Sequence, residues 1–271
     1  MHSYPPALAA YLLTLAALLG LLLGSFCNNW AFRLCRRESV FRGRSRCPAC
    51  GHTLSAGDLI PLLSWLRLGG KCRYCGAHIS GRYPAAELIS ALAWVLLPLA
   101  MDPFLQWAEL ARWALLLPLL LTLALQDWES WELSDGLLLA AALWALALIP
   151  FTGGWQALGR ALLGAVSIAG PLLLVSLAAD KLLGVETLGG GDIKLFAALG
   201  LHLGPGRTLL TLILACVLGL LLALPPRKGE TAPAETGRFH AVPFGPAICL
   251  AAYLAGLWGE GLIAWYTGLF H

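Results

Sequence analysis

Two acidic segments interrupt a chain that is otherwise strongly apolar. The first spans 127–135 (DWESWELSD) and begins with Asp127, and the second is Gly189-Gly190-Gly191-Asp192-Ile193-Lys194-Leu195. An acidic side chain beside sequence of membrane depth is costly to desolvate, and a run of glycines interrupts a helix and lets other backbone approach closely. Asp127 and Asp192 are therefore candidates for chemistry rather than for packing.

Paired carboxylates support one kind of acid–base chemistry in particular. Two carboxyl groups held close together do not both ionise readily, so one keeps its proton. The charged one can take a proton from a water that attacks a peptide carbonyl, while the neutral one donates a hydrogen bond to the carbonyl oxygen. If Asp127 and Asp192 meet in the fold, they fit the mechanism of an aspartic peptidase. Proton or cation transport is the competing use of paired acids in a membrane protein.

Four cysteines form a second group with metal-ligand spacing. Cys47-Pro48-Ala49-Cys50 and Cys72-Arg73-Tyr74-Cys75 are two C-x2-C knuckles, and a glycine able to take positive φ follows each. Each knuckle can place two thiolates on one ion, so the pair can close a tetrahedral Zn²⁺ site. His52 and His78 lie nearby as alternative ligands, but four cysteines suffice. We expect a structural zinc with no open position for substrate.

The elements that must position these groups are apolar segments of membrane length. The chain is 59% hydrophobic and only 12% charged, against roughly 25% charged in soluble domains. The sixth apolar segment is much too short for a full span, which suits a tilted or partly embedded helix opening at the glycines. We predict an all-α polytopic membrane protein with about eight transmembrane helices and a small zinc-binding cytoplasmic loop domain. The predicted spans are 7–26, 84–101, 107–126, 136–151, 160–179, 193–204, 207–224 and 244–268.

The basic residues predict the orientation of these spans. Most of the 18 Lys and Arg fall in loops on one side, above all between the first two spans. The positive-inside rule puts those loops and the acidic segments at the cytoplasmic face and the N-terminus outside. The same rule explains the basic residues without nucleic acid, which we do not expect as a partner. The predicted organisation is a first span in 1–32, a four-cysteine module in 33–83 and a multi-helix membrane domain in 84–271.

Several motifs together resemble the type IV prepilin peptidase family, the bacterial leader peptidases that also N-methylate their product. The resemblance runs over most of the chain, in the order in which the family has these motifs. They are Gly24-Ser25-Phe26-Cys27-Asn28, Ser45–Gly51, Ile60–Trp65, Gly70–Cys75, Ile79–Leu88, the GxGDxKL-like Gly189–Leu195, and Val242-Pro243-Phe244-Gly245-Pro246.

The resemblance implies an aspartic peptidase of the bacterial inner membrane that cuts the leader of prepilins and pseudopilins at the cytoplasmic face. By position, Asp127 and Asp192 are its catalytic pair, and Asp135 is the alternative for the first carboxylate. Gly189, Gly190 and Gly191 give close approach to substrate. Glu186 and Lys194 are candidates for tuning the charge of the pair or holding the substrate.

The resemblance also implies methyl transfer from S-adenosylmethionine to the new N-terminal residue. The cysteine module and the stretch around Gly24 and Asn28 are the candidates for this activity, although no Gly-rich strand–helix box of the usual methyltransferases is visible. Two alternatives remain. One is a peptidase without methyltransferase activity, and the other is a zinc-stapled transporter or assembly scaffold. Transport favours acids facing each other in mid-membrane, whereas the predicted topology places both at one boundary.

Overall fold

The computed structural model of the protein describes residues 4–40, 43–102, 105–184, 189–223 and 242–269. Within these residues there is no β-strand beyond two isolated β-bridges, and all α-helices but α2 are long and apolar enough to cross a membrane. The prediction of an all-α polytopic membrane protein is confirmed. The helices are α1 (Pro6–Cys35), α2 (Leu63–Arg67), α3 (Arg82–Ala100), α4 (Trp107–Ser130), α5 (Asp135–Thr152), α6 (Gly154–Leu183), α7 (Gly190–Ala223) and α8 (Gly245–Gly268).

The chain divides into two compact units, Met1–Leu110 and Ala111–His271. In the first unit α1 and α3 pack antiparallel with their backbones in contact. A Cβ on Gly20 would lie 2.6 Å from Ala91 Cα, and a Cβ on Gly24 would lie 2.8 Å from Glu87 Cα. Small residues at such a seam let membrane helices approach closely enough for dispersion to hold them together. The cysteine motifs and α2 lie in the segment that joins the two helices.

In the second unit, contacts on either side of Gly204 show that α7 folds back on itself. Near its start, Gly191 packs on Leu133, and near its end Gly219 packs on the ring of Phe244, next to Gly245. Between them, a Cβ on Gly206 would lie 3.5 Å from Ile263 Cδ1, about 27 Å further along α8 than Gly245 at ~1.5 Å per residue. Both ends of α7 therefore lie near the start of α8, and its middle lies towards the far end of α8.

The reversal occurs at Gly204-Pro205. Gly204 has φ 73° and ψ 174°, which is not helical, and Pro205 has no N–H with which to continue the helical hydrogen bonds. Two carbonyls at the bend accept side-chain hydrogen bonds: the Thr208 hydroxyl donates to Gly204 O (2.6 Å) and Arg207 Nε donates to Leu203 O (3.2 Å). Side-chain donors of this kind help a broken helix to satisfy its backbone where water is scarce.

This fold accounts for the short sixth span of the sequence prediction. The predicted segments 193–204 and 207–224 are the two arms of α7 on either side of the bend. The first arm is only about 20 Å long, which explains why its apolar run is too short for a complete crossing. The other six predicted spans fall within or largely within α1, α3, α4, α5, α6 and α8 in that order.

Candidate active site

Asp127 lies in the last turn of α4, where the chain leaves the helix. The residue is buried, with 6% of its surface exposed. The helix closes through a hydrogen bond from Trp131 N–H to Asp127 O (2.9 Å), and Trp131 takes φ 58°. A bulky residue in the left-handed region is strained, and such strain persists only where the surroundings impose it. The acidic segment therefore leaves α4 through a sharp turn that keeps Asp127 on the helix.

The Asp127 carboxylate is held by the start of α8. Gly245 N–H donates to Asp127 Oδ2 at 2.8 Å, across 118 residues of chain. A Cβ at position 245 would lie 2.6 Å from that same oxygen, so only glycine fits without displacing the carboxylate. The sequence analysis quoted the Pro-Phe-Gly-Pro motif containing Gly245 but gave it no role at the site. The signal in the sequence that could have indicated this role is the glycine directly after Phe244, in a segment with a proline on each side.

Asp192 lies in the first turn of α7, directly after the glycines. Its N–H donates to Gly189 O at 3.0 Å, which begins the helix. The glycines supply space here: a Cβ on Gly191 would lie 3.3 Å from the Leu133 side chain, while Gly190 has open space around it. None of the three has a positive φ, so glycine is needed for close approach rather than for an unusual backbone conformation.

One cavity of about 660 Å³ contains both carboxylates. Asp127 reaches it from the last turn of α4 and Asp192 from the first turn of α7. The cavity wall combines acidic, glycine and apolar residues, as expected where a peptide backbone must lie against a pair of acids. Its lining residues are Asp127, Trp131, Glu132, Leu133, Asp135, Gly189, Gly190, Gly191, Asp192, Lys194, Val242, Pro243 and Phe244.

The predicted supporting residues meet at the rim of this cavity. Lys194 Nζ lies 2.7 Å from Asp135 Oδ1, with 58% and 74% of the two side chains exposed. An ion pair this exposed is worth only about 0–1 kcal/mol, so it orients the two side chains more than it stabilises the fold. Pairing with Lys194 directs the Asp135 carboxylate to the rim, whereas Asp127 is buried. Glu186 lies outside the described residues.

In the first unit the four cysteines of the two knuckles come together. Their sulfur atoms all lie within 4.8 Å of one another, and Cys47 Sγ is 3.9 Å from Cys75 Sγ. A tetrahedral ion with metal–sulfur bonds of ~2.3 Å requires sulfur atoms about 3.8 Å apart. The geometry therefore fits a metal ion bound by four thiolates.

The two knuckles have matching backbone structure. Gly51 N–H donates to Cys47 O (2.8 Å) and Gly76 N–H to Cys72 O (2.9 Å). The glycines have φ of 71° and 70°, which confirms the prediction that a residue free to take positive φ is needed there. Each knuckle is then closed by one isolated β-bridge. Backbone hydrogen bonds and glycine conformation alone therefore define the turn of each knuckle.

The thiols of this cluster differ in acidity. The main-chain N–H groups of Cys50 and Ala49 lower the pKa of the Cys47 thiol to about 7. At Cys75 the N–H of Ala77 acts in the same direction, but desolvation and the neighbouring sulfur atoms raise the pKa of that thiol to about 12. Crowded thiols that share protons in this way form a natural site for a cation that replaces the protons.

The two residues proposed from the sequence for cofactor binding lie on one face of α1. Gly24 is in contact with α3, so a packing requirement accounts for its glycine. Asn28, one turn further along, is 7% exposed, and its Nδ2 has no hydrogen-bond partner among the described residues. A buried amide without a partner is uncommon and calls for an explanation.

Comparison with known proteins places these features in a family. Residues 18–101 match the Bacterial Peptidase A24 N-terminal domain, and residues 114–224 match the Type IV leader peptidase family. A protein of Aeromonas salmonicida (strain A449), named prepilin leader peptidase/N-methyltransferase, is 41% identical over 85% of this chain and 76% of its own length. Proteins of the same name from Bacillus subtilis (strain 168) and Pseudomonas putida are 35% and 34% identical over 94% of this chain, covering 98% and 93% of their own lengths. No solved structure matches the chain.

Proposed function

The chain belongs to the type IV leader peptidase family, and from that premise we propose that it removes the leader peptide from prepilin and pseudopilin precursors and N-methylates the new N-terminus. The observation that carries the peptidase half is the single cavity containing two carboxylates from α4 and α7. A scaffold does not need the two acids, and transport does not call for an open cavity beside glycine backbone, so both alternatives are less favoured.

Asp127 and Asp192 are the proposed catalytic pair. One carboxyl group keeps a proton because the two are close, and it donates a hydrogen bond to the carbonyl oxygen of the scissile peptide. The other takes a proton from the attacking water. The N–H of Gly245 holds Asp127 Oδ2 at 2.8 Å, which positions that carboxylate before substrate arrives.

The rest of the cavity suits an extended peptide. Gly189, Gly190 and Gly191 allow main chain to lie against the acids, and apolar side chains from Trp131 and Phe244 share the wall. Lys194 and Asp135 orient each other at the rim and are proposed to support the substrate or the charge of the pair. Glu186, outside the described residues, remains a proposal from sequence alone.

The four-thiolate cluster is proposed to hold a structural Zn²⁺. Cys47, Cys50, Cys72 and Cys75 fill all four positions of a tetrahedral ion, so the ion supplies folding energy and has no site for substrate. It would tie together the 33–83 module, which has few buried apolar residues of its own. The segments 1–32 and 84–271 are proposed as the first span and the membrane peptidase domain.

The methyl-transfer half is proposed to belong to the first unit. S-adenosylmethionine, when bound, supplies an electrophilic methyl group for the amine released by cleavage. The cysteine module and the α1 face that carries Asn28 are the residues proposed to serve this activity. The protein is proposed to lie in the bacterial inner membrane with the acid cavity facing the cytoplasm and the N-terminus outside.

A pair of single substitutions tests the peptidase. We expect Asp127→Asn and Asp192→Asn each to lower prepilin cleavage in membranes by roughly 10²–10⁴-fold or more, while both proteins insert normally. Methylation of a peptide supplied already cleaved is expected to persist in both. Asp135→Asn serves as the matched control, and we expect it to keep most activity. Normal processing by either member of the pair would rule out the proposed mechanism.

A further inference from the structure

Glu87 is a buried carboxylate that the peptidase mechanism does not use. It lies in the second turn of α3 and is only 7% exposed. Leu62 N–H donates to its Oε2 at 2.7 Å, and the Ser25 side chain forms a second hydrogen bond to it. Among the described residues no Lys, Arg or His is paired with it. The charged form of a buried carboxyl group without a cation is unfavourable, and either a retained proton or a cationic ligand relieves it.

The other carboxylates described in the first unit are placed differently. Glu38 is exposed on the surface. Asp58 is bound by Arg73, Ser55 and Tyr74, and these contacts lower its pKa to about 2. Asp102 is half-buried and accepts a hydrogen bond from Tyr4. Glu109 is also only half-buried. Glu87 is therefore the one described acid of this unit that is buried and bound only by neutral groups.

A second observation at the same seam points to a ligand. Asn28 lies one turn after Gly24 on α1, and Gly24 contacts α3 at Glu87, so Asn28 is on the face of α1 that meets the start of α3. Its Nδ2 is buried and unpartnered among the described residues. The seam thus combines an acceptor that lacks a cation with a donor that lacks an acceptor. An amine followed by a peptide carbonyl would satisfy both.

The segment that covers Glu87 is built to meet an apolar chain. Leu62, whose N–H binds the carboxylate, takes φ 61°, a strained value for leucine. Large apolar side chains on both sides of it are exposed to between 42% and 64%: Leu59, Ile60, Leu63 and Leu66. Exposed apolar side chains beside a buried charge match a ligand that carries a charged head and an apolar tail.

We propose that Glu87 binds the α-ammonium group of the cleaved peptide and acts as the base for its methylation, with Asn28 donating to the first peptide carbonyl. This rests on the methyl-transfer half of the proposed function. The Glu87 carboxylate takes one proton from R–NH₃⁺, leaving a neutral amine. The nitrogen lone pair then forms the N–CH₃ bond as the carbon–sulfur bond of the donor breaks, and that electron pair stays on sulfur. The product is R–NH₂⁺–CH₃ with a neutral thioether, and Glu87 returns its proton to solvent.

The first test measures methyl transfer to a peptide with a free apolar N-terminus, so that cleavage is not needed. Glu87→Gln in the full-length protein is expected to lower methyl incorporation by roughly 10²–10⁴-fold, the range of a lost general base. The matched control Glu38→Gln, an exposed glutamate in the same unit, is expected to stay within about twofold. Both should cleave prepilin and retain zinc like the unaltered protein. Unchanged methylation by Glu87→Gln, or joint loss of methylation, cleavage and zinc, would overturn the proposal.

The second test needs no methyl donor and therefore no activity. The unaltered protein is expected to bind the free-amine peptide about tenfold or more tightly than its N-acetylated form, because charge-assisted hydrogen bonds are about twice as strong as neutral ones. Glu87→Gln should abolish this preference. Asn28→Ala removes the Nδ2 group that has no partner among the described residues, and it should weaken binding of both peptides while leaving cleavage and zinc intact. No preference in the unaltered protein would refute the inference even if Glu87→Gln does not fold.

The methyl donor also carries an α-ammonium group, so a third measurement separates the two sources. Equilibrium binding of labelled S-adenosylmethionine is expected to be the same in Glu87→Gln and the unaltered protein. Loss of donor binding with the peptide preference retained would assign Glu87 to the donor and overturn the inference. If the unaltered protein transfers no methyl group at all, the proposed methyltransferase function is refuted. The binding comparison between free-amine and N-acetylated peptides, which needs no methyl donor, would still test whether Glu87 binds the α-ammonium group.

Discussion

In the first unit four sulfur atoms lie within 4.8 Å of one another, whereas in the second the carboxyl groups of Asp127 and Asp192 line an open cavity of about 660 Å³. The thiols surround a space that one ion would fill, and nothing else could enter it. The carboxylates face a space that a peptide and a water can occupy. Reactive groups that fully enclose an ion serve a structural role, whereas reactive groups with one open side can act on a substrate.

Glycine has a different role in each region. Gly51 and Gly76 have φ near +70°, and no atom lies within 4 Å of the point where a Cβ would stand, so conformation alone requires glycine in the knuckles. At the acid cavity Gly191 and Gly245 are needed for space, because a Cβ would meet Leu133 or the Asp127 carboxylate. Substitutions at these glycines therefore separate a defect of folding from a defect of catalysis.

The largest expected effect is at the thiol cluster. Cys47→Ser should reduce bound zinc from about one ion per chain to almost none, since a structural zinc site contributes on the order of 10 kcal/mol of binding free energy. Metal analysis of the purified protein and proteolysis of the 33–83 segment would measure this. Cys216→Ser, at an exposed cysteine outside the cluster, is the control. Unchanged zinc content in Cys47→Ser would contradict the four-cysteine site.

Gly245→Ala should damage the acid cavity without unfolding the protein. The new methyl group would lie 2.6 Å from Asp127 Oδ2, and a displacement of about 1 Å can cost roughly 10²-fold in rate. We expect kcat for prepilin cleavage to fall by about that factor, with zinc content unchanged. Gly261→Ala, on the same helix with open space around it, should be silent. Equal kinetics for the two variants would remove Gly245 from the site.

Gly191→Ala should have a smaller effect on cleavage than Gly245→Ala. Its Cβ would lie 3.3 Å from Leu133, so the acidic segment must give way by a few tenths of an ångström, and we expect a decrease of about tenfold. Gly190→Ala is the matched control, because nothing lies within 4 Å of a Cβ there. Steady-state cleavage assays of both would show whether space at position 191 matters. A larger defect at Gly190 would indicate that mobility of the segment, rather than space, sets the rate.

The smallest expected effect is at the rim. Lys194→Ala breaks an exposed ion pair with Asp135 worth about 0–1 kcal/mol, so thermal stability should barely change and cleavage should fall by no more than a few-fold. Asp135→Asn is expected to behave alike, and the double variant to be no worse than either single one. A loss comparable to that of Asp127→Asn would move Lys194 or Asp135 into the catalytic machinery.

Much of this organisation was readable from local sequence, and the exceptions have a common cause. The knuckles, the apolar spans and the glycine-flanked Asp192 each depend on neighbouring residues in the chain. The hydrogen bond from Gly245 to Asp127 joins residues 118 positions apart, and no short-range pattern encodes such a contact. The sequence analysis likewise passed over Glu87 because its burial depends on the approach of α1 and of Leu62.

The reversal at Gly204 lies between these cases. Gly-Pro is a recognisable helix break, and the two apolar arms were predicted as separate spans. That the second arm returns to the acid cavity is visible only from its packing on Phe244 and α8. The sequence does not distinguish a kinked helix from a reversal of the chain, because the apolar segments before and after Gly204 have the same lengths in both cases.

By itself the sequence determined the chemical inventory: four thiols in two knuckles, two carboxylates beside membrane segments, and helices long enough to cross a bilayer. These follow from transfer free energies and backbone preferences, which belong to each residue type. Tertiary structure alone decided which groups share a space: Asp127 with Asp192 and Gly245, and Glu87 with Ser25 and Leu62. That choice depends on how closely helices approach, and glycines far apart in the chain set the approach through packing, which no single segment contains.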